Sequence, residues 1–250
     1  MKQPTFFDKY PHEYDWLTDE QARLPKHNVE VQGLIQEFKP TRVLDAGCGT
    51  GLTSYLFASH GVTSVGLDRS AGMLAVAELK YSGKDLPLSF KSARFEALPK
   101  STEKQFDLLV CLANSLSGVG SLANLRKTLR GFRSVLAPGG HCVLQLLNIA
   151  GLRDGSHNVV RSTEHDDILY LRFLSRRGPR VMLTLVRVDT RTSPAQFEPF
   201  ITEYEPFDLI CLSAELKKAG FVDASAFGDL NLSQKFRQTS RDLVLVARRP

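Results

Sequence analysis

The stretch Val43–Gly51, VLDAGCGTG, ends an apolar run on an acid, Asp45, and then sets glycine at three alternate positions, Gly47, Gly49 and Gly51. Glycine carries no Cβ and reaches positive φ at no steric cost, so such a loop lets backbone N–H groups approach a ligand closely. The next apolar run, TSVGLD, closes on Asp68. A carboxylate there can accept hydrogen bonds from two neighbouring ribose hydroxyls, each worth roughly 1.5–3 kcal/mol, and it repels a phosphate on the same ribose. The two features point to an adenosine-like ligand. The spacing Gly47-x-Gly49-x-Gly51 is followed by Leu52, without the later glycine of the dinucleotide fingerprint, and no Lys-Ser or Lys-Thr pair follows to make a phosphate-binding loop.

These residues need elements to hold them. Val31, Leu34, Ile35 and Phe38 recur at helical spacing before Pro40, so a helix precedes the first strand. Leu52, Tyr55, Leu56 and the stop at Gly61 describe a second helix, and Ser70 caps a third that carries Met73, Leu74, Ala77 and Tyr81. LSFKS and FDLLVCLA read as strands. Leu122, Leu125, Leu129, Phe132 and Leu136 form a helical stripe closed by Pro138-Gly139-Gly140, after which HCVLQLL resumes as strand. Strands alternating with helices predict an α/β fold whose parallel sheet is covered on both faces. Beyond it, Ile168–Leu174, Val181–Val188 and Phe197–Tyr204 read as three successive strands without helices between them. Residues 148–205 are therefore expected to form an antiparallel lid within a single domain, 1–250, and residues 1–22 an N-terminal segment over the site. The helix Leu209, Leu212, Leu216, Ala219 and the strands FVDASAF and LVLVAR return the chain to the main sheet.

Composition excludes several classes. The chain has 250 residues, 42% of them hydrophobic and 24% charged, which is the balance of a folded globular protein. The start is polar and acidic, no run approaches membrane-spanning length, and a cytoplasmic protein without a membrane partner is expected. Cys48, Cys111, Cys142 and Cys211 have no metal-ligand spacing, so no metal is expected and the thiols read as reduced. The net charge of +5 is spread along the chain apart from Arg176, Arg177 and Arg180.

The acid followed by GCGTG resembles the first motif of the class I S-adenosylmethionine-dependent methyltransferases. The ribose acid in VGLDRSAGML, the FDLLVCLANSL strand and loop, the APGG turn and the KKAGF turn follow in that family's order. The resemblance covers roughly residues 20–150 and 207–248 and is strongest to small-molecule N-methyltransferases of the glycine N-methyltransferase type. There a CLGNS stretch follows the fourth strand and an arginine precedes the first; here these are Cys111–Ser115 and Arg23. It implies a doubly wound, Rossmann-like, mostly parallel seven-stranded sheet with an antiparallel last strand and a β lid inserted after the fifth strand. It further implies S-adenosylmethionine as cofactor, S-adenosylhomocysteine as product, and methyl transfer to a small-molecule amine by in-line displacement. By that similarity the cofactor site comprises Arg23 on the methionine carboxylate, Asp45, Gly47, Cys48, Gly49 and Gly51 of the loop, and Asp68 on the ribose. Arg69, Met73, Arg94 and Phe95 stand around the adenine, and Leu112, Ala113 and Ser115 line the methionine end. Arg94 stands where the family often has an acid or amide, and Gly118-Val119 replaces a frequent His-Leu.

The acceptor side is sought in the N-terminal segment, the lid and the CLANS loop: Tyr10, Tyr14, Asn114, Tyr170 and Arg172. The period of two sets Leu169, Leu171 and Phe173 on one face of a lid strand, expected on the core, and Tyr170 and Arg172 on the other, where Arg172 would meet an acceptor carboxylate. No side chain stands out as a catalytic base, and a neutral amine needs none. An RNA methyltransferase is the alternative, but Ala113-Asn114-Ser115-Leu116 lacks the Asn-Pro-Pro-aromatic run of amino-directed base methylation, and no Pro-Cys nucleophile is present. A non-catalytic S-adenosylmethionine-binding protein is the other. The oligomeric state is not legible.

Overall fold

A computed structural model describes residues 5–98, 105–149, 152–178 and 180–250. Residues 1–4 of the N-terminal segment, and residues 150, 151 and 179 of the lid span, lie outside the described residues. Two short helices, α1 (Phe6–Lys9) and α2 (Tyr14–Thr18), lead into α3 (Glu20–Phe38). The chain then alternates through β1 (Arg42–Ala46), α4 (Leu52–Ser59), β2 (Thr63–Asp68), α5 (Ala71–Tyr81) and β3 (Leu88–Ser92). It continues through β4 (Phe106–Cys111), α6 (Leu122–Val135) and β5 (Leu136–Leu147). After a second sheet it closes with α7 (Leu209–Lys218), β10 (Val222–Phe227) and β11 (Asp242–Arg248).

The main sheet has seven strands in the order β10-β11-β5-β4-β1-β2-β3, with β11 antiparallel to both neighbours. The order reverses beside β1, which pairs in parallel with β2 on one side and β4 on the other. That reversal opens a crevice beyond the carboxyl ends of β1 and β4, the place where open α/β sheets bind ligands. Both faces of the sheet are covered, which is why its central strands are apolar on both sides. Leu44 and Leu109 pack with Leu125 and Phe132 of α6 on one face, and Val43, Leu108 and Val110 pack with Val31 and Leu34 of α3 on the other.

Two expectations are corrected here. The strand after α6 begins at Leu136 and runs through Pro138-Gly139-Gly140, with a register shift between Phe106 and Leu108 of β4 absorbing the irregularity. The lid sheet has four strands in the order β6-β7-β8-β9, namely β6 (His157–His165), β7 (Ile168–Arg177), β8 (Arg180–Asp189) and β9 (Gln196–Tyr204). β6 escaped because it is an edge strand, half-buried at best along its length, so no apolar face imposes alternation on it.

A third cluster joins the N-terminal segment to the lid: Phe6 and Leu17 pack on Ile168, Tyr170 and Leu185. At its centre Glu13, 3% exposed, accepts hydrogen bonds from Arg187 Nε (2.7 Å), Arg187 Nη2 (2.9 Å) and the Tyr170 hydroxyl (2.7 Å). Arg187 also reaches Asp189 at 3.2 Å, which in turn accepts from Arg191. On the other side of the same segment, Asp15 accepts from Thr50 Oγ1 of the glycine loop (2.5 Å) and from Lys80 Nζ of α5 (2.6 Å). Among the described residues no helix is long and apolar enough to cross a membrane.

Candidate active site

The glycine loop turns β1 into α4 with Gly47 at φ +82° and Gly51 at φ +87°. Both positions are also crowded: a Cβ on Gly47 would sit 2.7 Å from Ser115 Cβ, and one on Gly51 2.7 Å from the Phe90 ring. Gly47 and Cys48 donate their N–H groups to Leu67 O, which ties the loop to the end of β2. Asp68, the last residue of β2, accepts from Gly49 N at 3.0 Å and from Ser70 N at 2.9 Å. Each carboxylate oxygen thus takes one backbone donor, and its remaining lone pairs are open to a ligand. Ser70 caps α5 as expected, accepting from Met73 N.

Beyond this loop lies a cavity of about 180 Å3. Gly47, Gly49 and Asp68 form one wall, Arg69 and Met73 a second, Arg94 and Phe95 a third, and Ala113 and Ser115 the floor. The Phe95 ring is held by an edge contact with Phe132 of the core, at 5.5 Å between centroids. A larger cavity of about 670 Å3 adjoins it, walled by the N-terminal segment, the lid strands and the end of β5. Tyr14, Ala113, Asn114 and Tyr204 line both.

Ala113 and Asn114, where the chambers meet, have φ of +51° and +66°. Neither is glycine, and such conformations cost on the order of 1–3 kcal/mol each. Asn114 is fixed by bonds from Leu147 N (3.1 Å) and Ser117 Oγ (2.8 Å) to its Oδ1. Burial pushes the Tyr14 phenol up, against the pull of Arg23 and Arg172. Burial likewise raises Tyr204, against a hydrogen bond with Asn114.

The remaining sequence candidates fall elsewhere. Asp45, Cys48, Gly51 and Leu112 line neither cavity: Cys48 and Gly51 form the far side of the loop, and Leu112 belongs to the core cluster on the α3 face of the sheet. Asp45, 2% exposed, accepts from Ser54 Oγ of α4 at 2.7 Å. Arg23 lines the larger cavity, not the smaller, and donates to Thr18 Oγ1 at 3.1 Å. Tyr10 lines neither, because its hydroxyl donates to Glu198 and its ring packs on Phe6 and Phe200. Tyr170 lines neither, being fully buried with its hydroxyl on Glu13. The inward face of β7 is therefore the one carrying Ile168, Tyr170 and Leu174, with Leu169, Leu171 and Phe173 half-buried on the opposite side, the reverse of the expected packing. Arg172 shares the inward face and lines the larger cavity. Sequence reasoning missed Thr202 and Tyr204, which the period-two face 200, 202, 204 of β9 would have offered, and Glu96, two residues past Arg94 in the smaller cavity. No histidine is among the lining residues of either cavity. His165 instead stacks on Trp16 at 4.3 Å, and His27 bonds Glu30 and Thr53.

Asp45 is the electrostatically costly member. Burial pushes its carboxyl up to about 6, with the Ser54 hydrogen bond pulling the other way. The unfolded chain titrates near 3.8, so between these values the fold keeps a proton that the unfolded chain has lost. Stability therefore falls as pH rises through that window and stays lower above it. Asp45→Asn keeps an acceptor for Ser54 and removes the charge. It is expected to stabilise the fold at pH 7.5 by up to about 3 kcal/mol, from roughly two units at 1.4 kcal/mol each. The gain should shrink towards pH 4, and urea unfolding at the two pH values measures it.

Residues 43–140 match the family described as a methyltransferase domain. That match and the architecture define the class: the chain has the fold of the S-adenosylmethionine-dependent methyltransferases. It is 32% identical over 156 residues to a glycine/sarcosine N-methyltransferase of Halorhodospira halochloris, covering 61% of this chain and 56% of that protein. To the glycine N-methyltransferase of Homo sapiens it is 27% identical over 146 residues, 53% of this chain and 50% of that one. The chain thus spans about half the length of these curated relatives. Among solved structures, an S-adenosylmethionine-dependent methyltransferase from Clostridium acetobutylicum superposes with a TM-score of 0.78 at 17% identity, over 97% of this chain and 98% of that one. An amino pentose methyltransferase from Micromonospora echinaspora, solved with S-adenosylmethionine bound, gives 0.69 at 19% identity over the whole of both chains.

Proposed function

We propose that the smaller cavity binds S-adenosylmethionine and that its methyl group passes to an amine of a small molecule held in the larger one. The observation that carries this reading is the junction of the two cavities at Tyr14, Ala113, Asn114 and Tyr204, with the glycine loop and Asp68 on one side of it. A cradle in which any Cβ at Gly47 would collide with Ser115 fits a nucleoside seated against bare backbone. In this reading Asp68 takes the two ribose hydroxyls, Met73 and Phe95 cover the faces of the adenine, and Glu96 supplies the acid that Arg94 does not. Arg23 takes the methionine carboxylate from the larger cavity. Asp45 acts at one remove, holding the loop through Ser54.

When bound, the cofactor supplies a methyl carbon on a sulfonium: the amine lone pair forms the N–C bond as the S–C bond breaks, and its electron pair stays on sulfur as a thioether. The chain's own task is placement. Holding acceptor, methyl and sulfur in line contributes roughly 7–11 kcal/mol to such a displacement, and the N-terminal segment and lid shield it from water. An amine arrives neutral and releases its proton to solvent afterwards. A hydroxyl acceptor needs a base; Glu198 is engaged by Lys9 and Tyr10, so an alcohol would have to rely on Asp242, which accepts from Gln145. The segment 1–22 and the lid 148–205 work in this reading as parts of one catalytic domain, in a cytoplasmic setting that keeps its cysteines reduced.

Calorimetry with S-adenosylmethionine and S-adenosylhomocysteine, followed by turnover assays on matched amines and alcohols, tests this. Micromolar binding of both nucleosides and S-adenosylhomocysteine release with amines alone is the expected result. No binding of either nucleoside would overturn it.

A further inference from the structure

The larger cavity exceeds what a two-carbon amino acid and the methionine end of the cofactor need together and is of the size that encloses drug-sized ligands. Its polar wall is dominated by guanidinium groups: Arg23, Arg161, Arg172 and Arg241 all line it. Arg161 is neutralised by Asp19 at 2.5 Å. No ion pair with a described residue is formed by Arg23, Arg172 or Arg241, and the Nε atoms of Arg23 and Arg172 are buried without a hydrogen-bond partner. Of the two acids of the wall, Glu198 is held by Lys9 and Tyr10, and Asp242 accepts from Gln145 and feels Arg241 through space, so neither answers Arg172. Buried polar groups in folded proteins almost always find partners, and a buried guanidinium without one is a standing cost that a bound anion removes.

We propose that the acceptor is larger than a simple amino acid and carries an anionic group, a carboxylate or a phosphate, which Arg172 receives with the help of Arg241. This rests on the reading of the larger cavity as the acceptor chamber. Arg23 is left for the methionine carboxylate, so the chamber presents two separate anion positions. Arg172 stands at the middle of β7, between β6 and β8 and opposite the register shift in β6, and its planar fork suits bidentate capture of either anion. Burial and the neighbouring Arg161 and Arg23 lower its hold on its own proton, the direction expected of a cation awaiting a counter-charge.

Simple anions serve as probes, so the acceptor itself need not be identified first. Wild type, Arg172→Met, Arg172→Lys and the exposed-lid control Arg177→Met are each titrated by calorimetry with inorganic phosphate and with acetate, with and without S-adenosylhomocysteine. The wild type is expected to bind one anion more tightly, which names the class. Arg172→Met should weaken it about 10- to 100-fold and Arg172→Lys by less, while Arg177→Met is unchanged. S-adenosylhomocysteine affinity should be the same in all four proteins, which shows that the fold is intact and separates failure of this proposal from failure of the cofactor reading. In turnover, long-chain amines bearing the preferred anion should exceed their neutral esters, and Arg172→Met should raise KM for the anionic member alone. Anion binding indifferent to Arg172, or absent in the wild type, would overturn the proposal, as would turnover of glycine at a kcat/KM above that of every larger anionic amine.

Discussion

Replacing Asp68 by alanine is expected to weaken S-adenosylhomocysteine binding at least 100-fold. Two hydrogen bonds from ribose hydroxyls to a carboxylate contribute roughly 1.5–3 kcal/mol each, and both vanish together. The same side chain also holds Gly49 N and Ser70 N, so its loss loosens the glycine loop as well. Asp68→Asn keeps one oxygen and should fall between the two. The decisive comparison uses the 2′-deoxy analogue of S-adenosylhomocysteine, which should bind the wild type much more weakly than the parent and the Asp68→Ala protein equally. A deoxy penalty that survives the substitution would remove Asp68 from the ribose, whatever the loss of affinity.

The second large effect is one of stability. Glu13→Ala strips the carboxylate from Arg187, which is 8% exposed, and leaves the Tyr170 hydroxyl buried without an acceptor. Breaking a buried pair from one side costs about 3–5 kcal/mol. Asp189 remains beside Arg187, which holds the expectation to the lower end of that range. Glu13→Gln, which keeps the shape and an acceptor for Tyr170, should cost less. Urea midpoints measure the loss, and proteolysis within the first twenty residues should rise in parallel, because Glu13 is the buried one of the polar ties that hold that segment to the lid. In the double variant Glu13→Gln/Arg187→Met, part of the loss should return as the orphaned charge is removed.

How much of this was legible in the chain depended on the range of the interaction involved. The glycine loop, Asp68 and the Ser70 cap are local: their geometry follows from the absence of a Cβ, from a strand ending and from a hydroxyl at a helix start, and the structure shows that turn, that strand end and that cap. The parallel sheet covered on both faces followed from apolar strands alternating with amphipathic helices. What the sequence withheld is carried by distant partners. Tyr170 is 157 positions from Glu13, so nothing near it announces that its hydroxyl is bonded inward and away from the cavity. Alternation alone does not settle the inward face of β7 because both faces of that strand are rich in large side chains, and it is the packing of α1 and α2 that decides between them. β6 lacked any pattern because it buries little. Arg172 was singled out by alternation, but its lack of a counter-ion is a property of the whole cavity wall. The strained pair Ala113 and Asn114 left no trace in residue type, since neither is the glycine that such φ values favour.

The segment from Thr5 to Thr18 borders both cavities and is fastened within two residues in two directions, to the lid through Glu13 and to the glycine loop through Asp15. A single door therefore serves two rooms. In the proposed reading the nucleoside and the methylated product both lie against this one strip, so loosening it is expected to quicken the exchange of each. The strength of the Asp15 to Thr50 clasp then bears on both exchanges together.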